Sequence, residues 1–359
     1  MKRIIIIPLV SLFILFSAYP SEFNIVKVLD NLENPWSLAF LPDSSILITE
    51  RPGRLLIYKN STVARVSGLP DIHTGGQGGL LDVALHPDFK ANSLIYFTYS
   101  YSGNGGSGTA LYRGKLEGNN LTGGEVLYML PQLSGSGVHY GSRIVFAPDG
   151  TIYMTIGERG DRRRAQRLDD AAGSTLRFND DGSIPGDNPF TGRGDALPEI
   201  YSYGHRNAQG MAVNPETGEI WQHEHGPKGG DEVNIIKPGA NYGWPLVTFG
   251  REYSGSVISS STKAPGIEEP VLHWTPSIAP SGMMFYSGKL FPRWKGNLFA
   301  GALAGQHLRR VVLRGNEVVE EEVLLKERIG RIRDVREAPD GTIWLLTDER
   351  RGALYRINP

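Results

Sequence analysis

One phrase recurs six times along the chain, and no other feature constrains the fold as much. "WSLAFLPDSSILITERPGRLLIY" begins at Trp36, "LDVALHPDFKANSLIYFTYS" at Leu81 and "SRIVFAPDGTIYMTIGERG" at Ser142. "QGMAVNPETGEIWQHEHGP" begins at Gln209, "SGMMFYSGKLFPRWKGNLFAGAL" at Ser281 and "RDVREAPDGTIWLLTDERRGALYRI" at Arg333. Each sets an alternating apolar segment, a turn of the Pro-Asp-Gly kind, and a second alternating segment; most run on to a third. Alternation with period two around such turns is the signature of antiparallel hairpins. One such unit cannot bury both of its faces, so neighbouring units must supply the core. Copies at roughly 45 to 70 residue intervals therefore predict an all-β, six-bladed β-propeller. The fifth copy is degenerate, with Ser287-Gly288 in place of Pro-Asp. The competing all-β architecture is a sandwich with repeated turns. Spacing beyond a minimal blade implies long loops, which a propeller gathers at one mouth of its central channel.

Composition agrees and excludes several classes. The 45 Gly and 23 Pro of 359 residues supply turns, while 40% apolar residues suffice for a core. With 37 basic and 38 acidic side chains nearly cancelling, the sequence has no nucleic-acid footprint and no anionic-membrane surface. Absence of Cys excludes disulfides, thiolate metal sites and a Cys nucleophile. Residues 1–21 open with Lys2 and Arg3 before an apolar run that is short for a membrane span. They are expected to form a signal peptide or N-terminal leader ahead of a single propeller domain at 22–359, and export is expected, with no span beyond the leader.

The polar clusters fall where copies begin or where their second strand ends, so a propeller would bring them together. Gln77 lies in "GGQGGLLD", His139 in "GVHYGSR", and Glu158 in "IGERGDRRR". "YSYGHRNAQG" carries His205, Arg206 and Asn207, and "RIRDVR" carries Arg331 and Arg333 on one face of a strand. "RGDRRRAQR" reads as an exposed loop without a chemical role. "HEHGPKGGDEVN", from His223 to Asn234, offers two metal readings. His223 and His225 share a strand face, as zinc would want, but no third ligand has a recognisable spacing. Carbonyls freed by Gly226 and Pro227, with Asp231 and Glu232, are the oxygen donors that a hard cation such as calcium takes.

"GQGGLLDVALHPDF", "HYGSRIVFAPDGTIYMTIGERG", "YSYGHRNAQGM", "HEHGPKGGDEVNII" and "NYGWP" together resemble the soluble quinoprotein glucose dehydrogenase and aldose sugar dehydrogenase family. The resemblance covers nearly the whole chain after the leader, with the motifs in order. It implies a six-bladed propeller that binds pyrroloquinoline quinone (PQQ) and calcium in the channel mouth. The implied activity is oxidation of an aldose sugar at the anomeric carbon to a lactone, with electrons passing to an external acceptor. By the same resemblance, His139 is the general base, Glu158 its supporting carboxylate, and Arg206 with Asn207 the pair at the quinone oxygens. Gln77, Tyr253, Ala302, Leu303, Ala304, Arg331, Ile332 and Arg333 would line the cofactor, the two arginines holding its carboxylates. Gly226, Pro227, Glu232 and Tyr242 would serve calcium. Two departures stand out: Glu158 where some members have Asp, and Ala304 where many have a cofactor-binding Lys.

The chemistry is coherent. A tricarboxylate cofactor needs fixed cations, which planar guanidinium groups supply through paired hydrogen bonds. An imidazole can take a hydroxyl proton near neutral pH while a cofactor accepts the hydride. Two other classes compete: a calcium-dependent propeller hydrolase of the lactonase type, with ligands from several blades, and a non-catalytic extracellular binding propeller.

Overall fold

The computed structural model describes residues 23–359, so the expected leader lies outside the described residues. Strand β1 (Asn24–Leu32) comes first, then six groups of strands. Blade 1 is β2 (Pro35–Phe40), β3 (Ile46–Glu50), β4 (Arg54–Lys59) and β5 (Thr62–Arg65); blade 2 is β6 (Leu80–Leu85), β7 (Leu94–Gly103), β8 (Gly106–Glu117) and β9 (Asn120–Met129). Blade 3 comprises β10 (Ile144–Phe146), β11 (Ile152–Ile156), β12 (Ser174–Phe178) and β13 (Ile200–Tyr203). Blade 4 comprises β14 (Ala208–Val213), β15 (Ile220–Glu224), β16 (Asp231–Ile235) and β17 (Leu272–Trp274). Blade 5 is β18 (Pro280–Phe285), β19 (Leu298–Ala302), β20 (His307–Arg314) and β21 (Glu317–Leu324); blade 6 adds β22 (Ile332–Glu337), β23 (Ile343–Thr347) and β24 (Gly352–Asn358). Each blade is a four-stranded antiparallel sheet, so the chain is a six-bladed β-propeller. Every sequence copy proves to be the inner hairpin of one blade, the degenerate fifth included.

The sixth sheet has the order β1-β24-β23-β22, with Asn24 opposite Asn358. Its outer strand thus comes from the start of the chain. The hairpin turns show why the Pro-Asp motif repeats. Asp149 accepts from the amide and hydroxyl of Thr151 at 2.9 and 2.7 Å, and Asp340 does the same with Thr342 at 2.9 and 2.6 Å. Each carboxylate fixes its own turn two residues ahead, which a plain loop would leave to entropy.

The core lies between blades. Leu47, Leu55, Val83 and Phe97 fill the interface of blades 1 and 2, and Met154, Leu176, Tyr96 and Leu111 that of blades 2 and 3. Trp221 with Leu298, and Phe299 with Leu345, pack the later interfaces, and Ile48 with Leu346 and Leu354 close the ring from blade 6 to blade 1. Each blade is half of two cores, so no blade is stable alone. The first strands β2, β6, β10, β14, β18 and β22 contact one another in a ring around the axis.

Candidate active site

Antiparallel pairing decides which residues share the mouth. The start of each blade's first strand and the end of its second strand lie on one face, opposite the Pro-Asp turns. Gln77, His139, Arg206, Ala279 and Arg331 precede first strands; Arg51, Glu158, His225, Leu303 and Asp348 follow second strands. A cavity of about 270 Å³ opens there, lined among others by Arg51, Gln77, Asn207, Arg331, Arg333 and Asp348. A larger groove of about 510 Å³ lies on the turn side, around Asp43, Lys59 and Phe89, and gathers no comparable set of polar groups.

The cavity is strongly cationic. Arg333 donates to Asp348 at 2.7 Å and to Gln209 Oε1 at 3.1 Å, while Arg331 donates to the same Asp348 at 3.2 Å. Burial favours a protonated Asp348, but Arg333, then Arg331 and Arg51, outweigh it and hold the carboxyl down at about 2. Three guanidinium groups therefore face one carboxylate. Arg51 Nε, Arg333 Nε and Asp348 Oδ1 are buried there without a hydrogen-bond partner. Orphaned groups of this kind are costly in a protein interior and are usual where a ligand completes the set.

His139 sits beside this cavity on a strained turn. Its φ is 55°, and its amide donates to Gln77 Oε1 at 2.9 Å. Nδ1 lies 2.9 Å from Glu158 Oε1, with the ring 14% exposed and the carboxylate 4%. The distance is that of an ion pair, although Nδ1 finds no aligned hydrogen-bond partner. Such contacts commonly tighten only when substrate is bound. With Nδ1 turned to Glu158, Nε2 is the nitrogen left for an outside proton. Glycine is required nearby: a Cβ on Gly157 would come within 2.2 Å of the His139 carbonyl oxygen. Asn207 Oδ1 accepts from Gly141 at 3.1 Å, tying the adjoining blade to the same turn.

"RGDRRRAQR" is not simply an exposed loop. Arg159 is fully buried, its guanidinium 3.4 Å from the centre of the Tyr140 ring, and it donates to Ser136 O at 2.9 Å. It thereby pins the segment leading to His139. Arg164 is buried too, paired to Asp170 at 2.7 and 3.0 Å, whereas Arg163 stands in solvent. The charge pattern gave no hint of this, because Tyr140 and Ser136 lie on an earlier segment and Asp170 just beyond the run.

The stretch from His223 to Asn234 divides its duties. His223 is fully buried without a hydrogen-bond partner, and burial, then Arg143, lowers it to about 3, so it stays neutral. His225 Nε2 lies 2.6 Å from the Pro280 carbonyl. Among the described residues no three His, Asp or Glu side chains converge as a metal site. Asp231 is a buried staple, accepting from Gly226 at 2.9 Å, Ser277 at 2.8 Å and Ile278 at 2.7 Å, so it is not free for a cation. Tyr242 spends its phenol on Ile235 and Lys237, which leaves only its carbonyl for that purpose. Glu232 lies opposite Glu224 across β15 and β16, with one long contact to Asn234 at 3.4 Å; burial, then Glu224, raise it well above the carboxylate range. Arg206 reaches the carbonyls of His225 at 3.1 Å and Gly226 at 3.4 Å.

The other expected cofactor neighbours are dispersed. Leu303 lines the cavity, but Ala302 and Ile332 turn their side chains into the cores between blades, leaving only backbone for the mouth. Ala304 is exposed and carries no charge. Tyr253 is 71% exposed and does not line the cavity. Sequence reasoning missed Arg51 and Asp348. Both end a second strand, as Glu158 does, and that rule applied to "ITERPG" and "LLTDER" would have found them.

Beneath the mouth the channel has a waist. Arg143 pairs with Asp82 at 3.0 Å and Asp334 at 3.2 Å, and Arg336 with the same two at 3.1 and 3.0 Å. Trp36 joins the two layers, its ring 4.2 Å from the Arg143 guanidinium and 5.8 Å from that of Arg333.

Comparison with known proteins is consistent with this geometry. Residues 32–356 match the family described as Glucose / Sorbosone dehydrogenase. Aldose sugar dehydrogenase YliI of Escherichia coli (strain K12) is 43% identical over 363 residues, covering 99% of this chain and 98% of its own. The crystal structure of the soluble aldose sugar dehydrogenase of Escherichia coli in the apo-form superposes with a TM-score of 0.92 at 42% identity, covering 94% and 99% of the two chains. The PQQ-bound form of the aldose sugar dehydrogenase of Streptomyces coelicolor gives 0.77 at 27% identity, covering 94% and 99%.

Proposed function

The chain belongs to the glucose/sorbosone dehydrogenase family, a family of sugar oxidoreductases, and from that premise we propose that it oxidises aldose sugars at the anomeric carbon to lactones, using PQQ and calcium and passing electrons to an external acceptor. Bound quinone would supply the hydride acceptor and calcium the Lewis acid. The residues present fit a tricarboxylate: an excess of guanidinium groups and orphaned donors surrounds one cavity. A hard cation would draw on the carbonyls of Gly226, Pro227 and Tyr242 and on Glu232, whose burial against Glu224 a positive charge would relieve.

What the chain's own residues do follows from their placement. Arg331 and Arg333, locked by Asp348, would hold carboxylates in fixed orientation. His139 would take the proton of the anomeric hydroxyl at Nε2, and Glu158 would orient the ring and stabilise the imidazolium so formed. Asn207 and Arg206, held by Gly141 and by the Gly226 loop, would position the redox partner. Trp36, Leu81 and Tyr140, packed together below the cavity, would keep water from its floor. The basic and then apolar N-terminus supports export.

The observation that carries the reading is the cationic cavity directly beside the His139–Glu158 pair. A hydrolase with one axial ion is less well supported, because the axial carboxylates Asp82 and Asp334 are consumed by Arg143 and Arg336. Titrating metal-free protein with PQQ, with and without calcium, tests the proposal: the quinone spectrum should shift, glucose should bleach it, and a chelator should abolish the bleaching. Absence of any binding would overturn it.

A further inference from the structure

We infer that Arg51 is a cofactor-binding residue, supplying a third guanidinium to the carboxylates of the bound quinone; this rests on the reading above. Three cations line the cavity, but only two are matched. Arg331 and Arg333 share Asp348. Among the described residues no carboxylate comes within ion-pair distance of Arg51, which only donates from Nη1 to the Gly76 carbonyl at 3.2 Å and leaves Nε buried and unpartnered.

An unmatched charge on a cavity wall raises the cost of folding unless an anion completes it. Nor is this arginine loosely placed. Its amide donates to Asn34 O at 3.1 Å, its carbonyl accepts from Leu80 at 3.3 Å, and Gly79 packs so closely that a Cβ would lie 2.0 Å from that oxygen. The backbone is clamped between blades 1 and 2, so the fork is presented in advance and little freedom is lost when a carboxylate arrives.

The test is equilibrium titration of the apo protein with PQQ and with its trimethyl ester, in calcium. Arg51→Gln should weaken binding of the acid about tenfold to a hundredfold, the worth of one charge-assisted contact, and change binding of the ester by less than about threefold. Arg51→Lys keeps the charge but loses the fork; it should lose about fivefold for the acid and nothing for the ester. It also provides the comparison if the Gln variant does not fold. An acid-to-ester ratio unchanged from wild type in the folded variants overturns the inference. So does equal loss for both ligands, which would make Arg51 only a brace for the Gln77 turn through Gly76. Failure of the wild-type protein to bind either ligand would instead sink the functional reading.

Discussion

The mouth and the waist of the channel are built from the same residue types, a few ångströms of strand apart, and they are finished differently. At the waist two arginines meet two aspartates, hydrogen bonds from Ser37 and the Ile144 amide take up most of what remains of Asp82, and of these four side chains only Arg143 Nη2 is left unbonded. At the mouth three arginines meet one aspartate, and several buried polar atoms have nothing to bond. Buried charge that is matched serves the fold. Buried charge left unmatched, at a cost the rest of the ring must carry, serves a ligand. The propeller makes the division possible, because every inner strand passes first through one layer and then the other.

The largest effect expected belongs to the mouth. His139→Gln should slow single-turnover reduction of the bound quinone by about two to four orders of magnitude while leaving stability unchanged. A wild-type rate would send the search for a base elsewhere. Next comes the waist, where Asp82→Asn leaves Arg143 and Arg336 undercompensated. It should cost about 3 to 5 kcal/mol in denaturant unfolding. Affinity of the folded fraction for PQQ should hardly change, and a parallel loss of affinity would erase the distinction between the two layers. A smaller effect sharpens it. The Asp348 carboxyl is held below its ordinary range, so its pairing stabilises the protein above about pH 4 and the benefit disappears as pH falls toward 2. Asp348→Asn should therefore be less stable than wild type by about 2 kcal/mol at neutral pH, the two converging near pH 2. Parallel acid melting curves would mean that the pair contributes nothing.

Much of the fold is legible in the amino-acid sequence alone. The six hairpin copies mark the first two strands of every blade, because alternation and turn chemistry are local properties. The site is legible in part, since Gln77, Asn207, Leu303, Arg331 and Arg333 do line one cavity. What stays hidden depends on pairing between distant segments. Arg51 and Asp348 lie almost three hundred residues apart, and neither motif looks unusual alone. Arg159 reads as one basic residue in a charged run until Tyr140 is seen against it. Strand β1 carries no repeat signature, because it enters a sheet whose other members lie at the opposite end of the sequence.

That last pairing sets a timetable. Register between Asn24 and Asn358 means that β1 has no partner until the chain has been made as far as β24. Without that pairing the ring is an open arc, and the apolar faces that blades 1 and 6 bury against each other, among them Ile48, Leu346 and Leu354, are left uncovered. Closure brings together residues at a sequence separation of 335, and contacts so distant form slowly. The cavity, whose wall includes Arg331, Arg333 and Asp348 from blade 6, therefore cannot be complete before the clasp is shut.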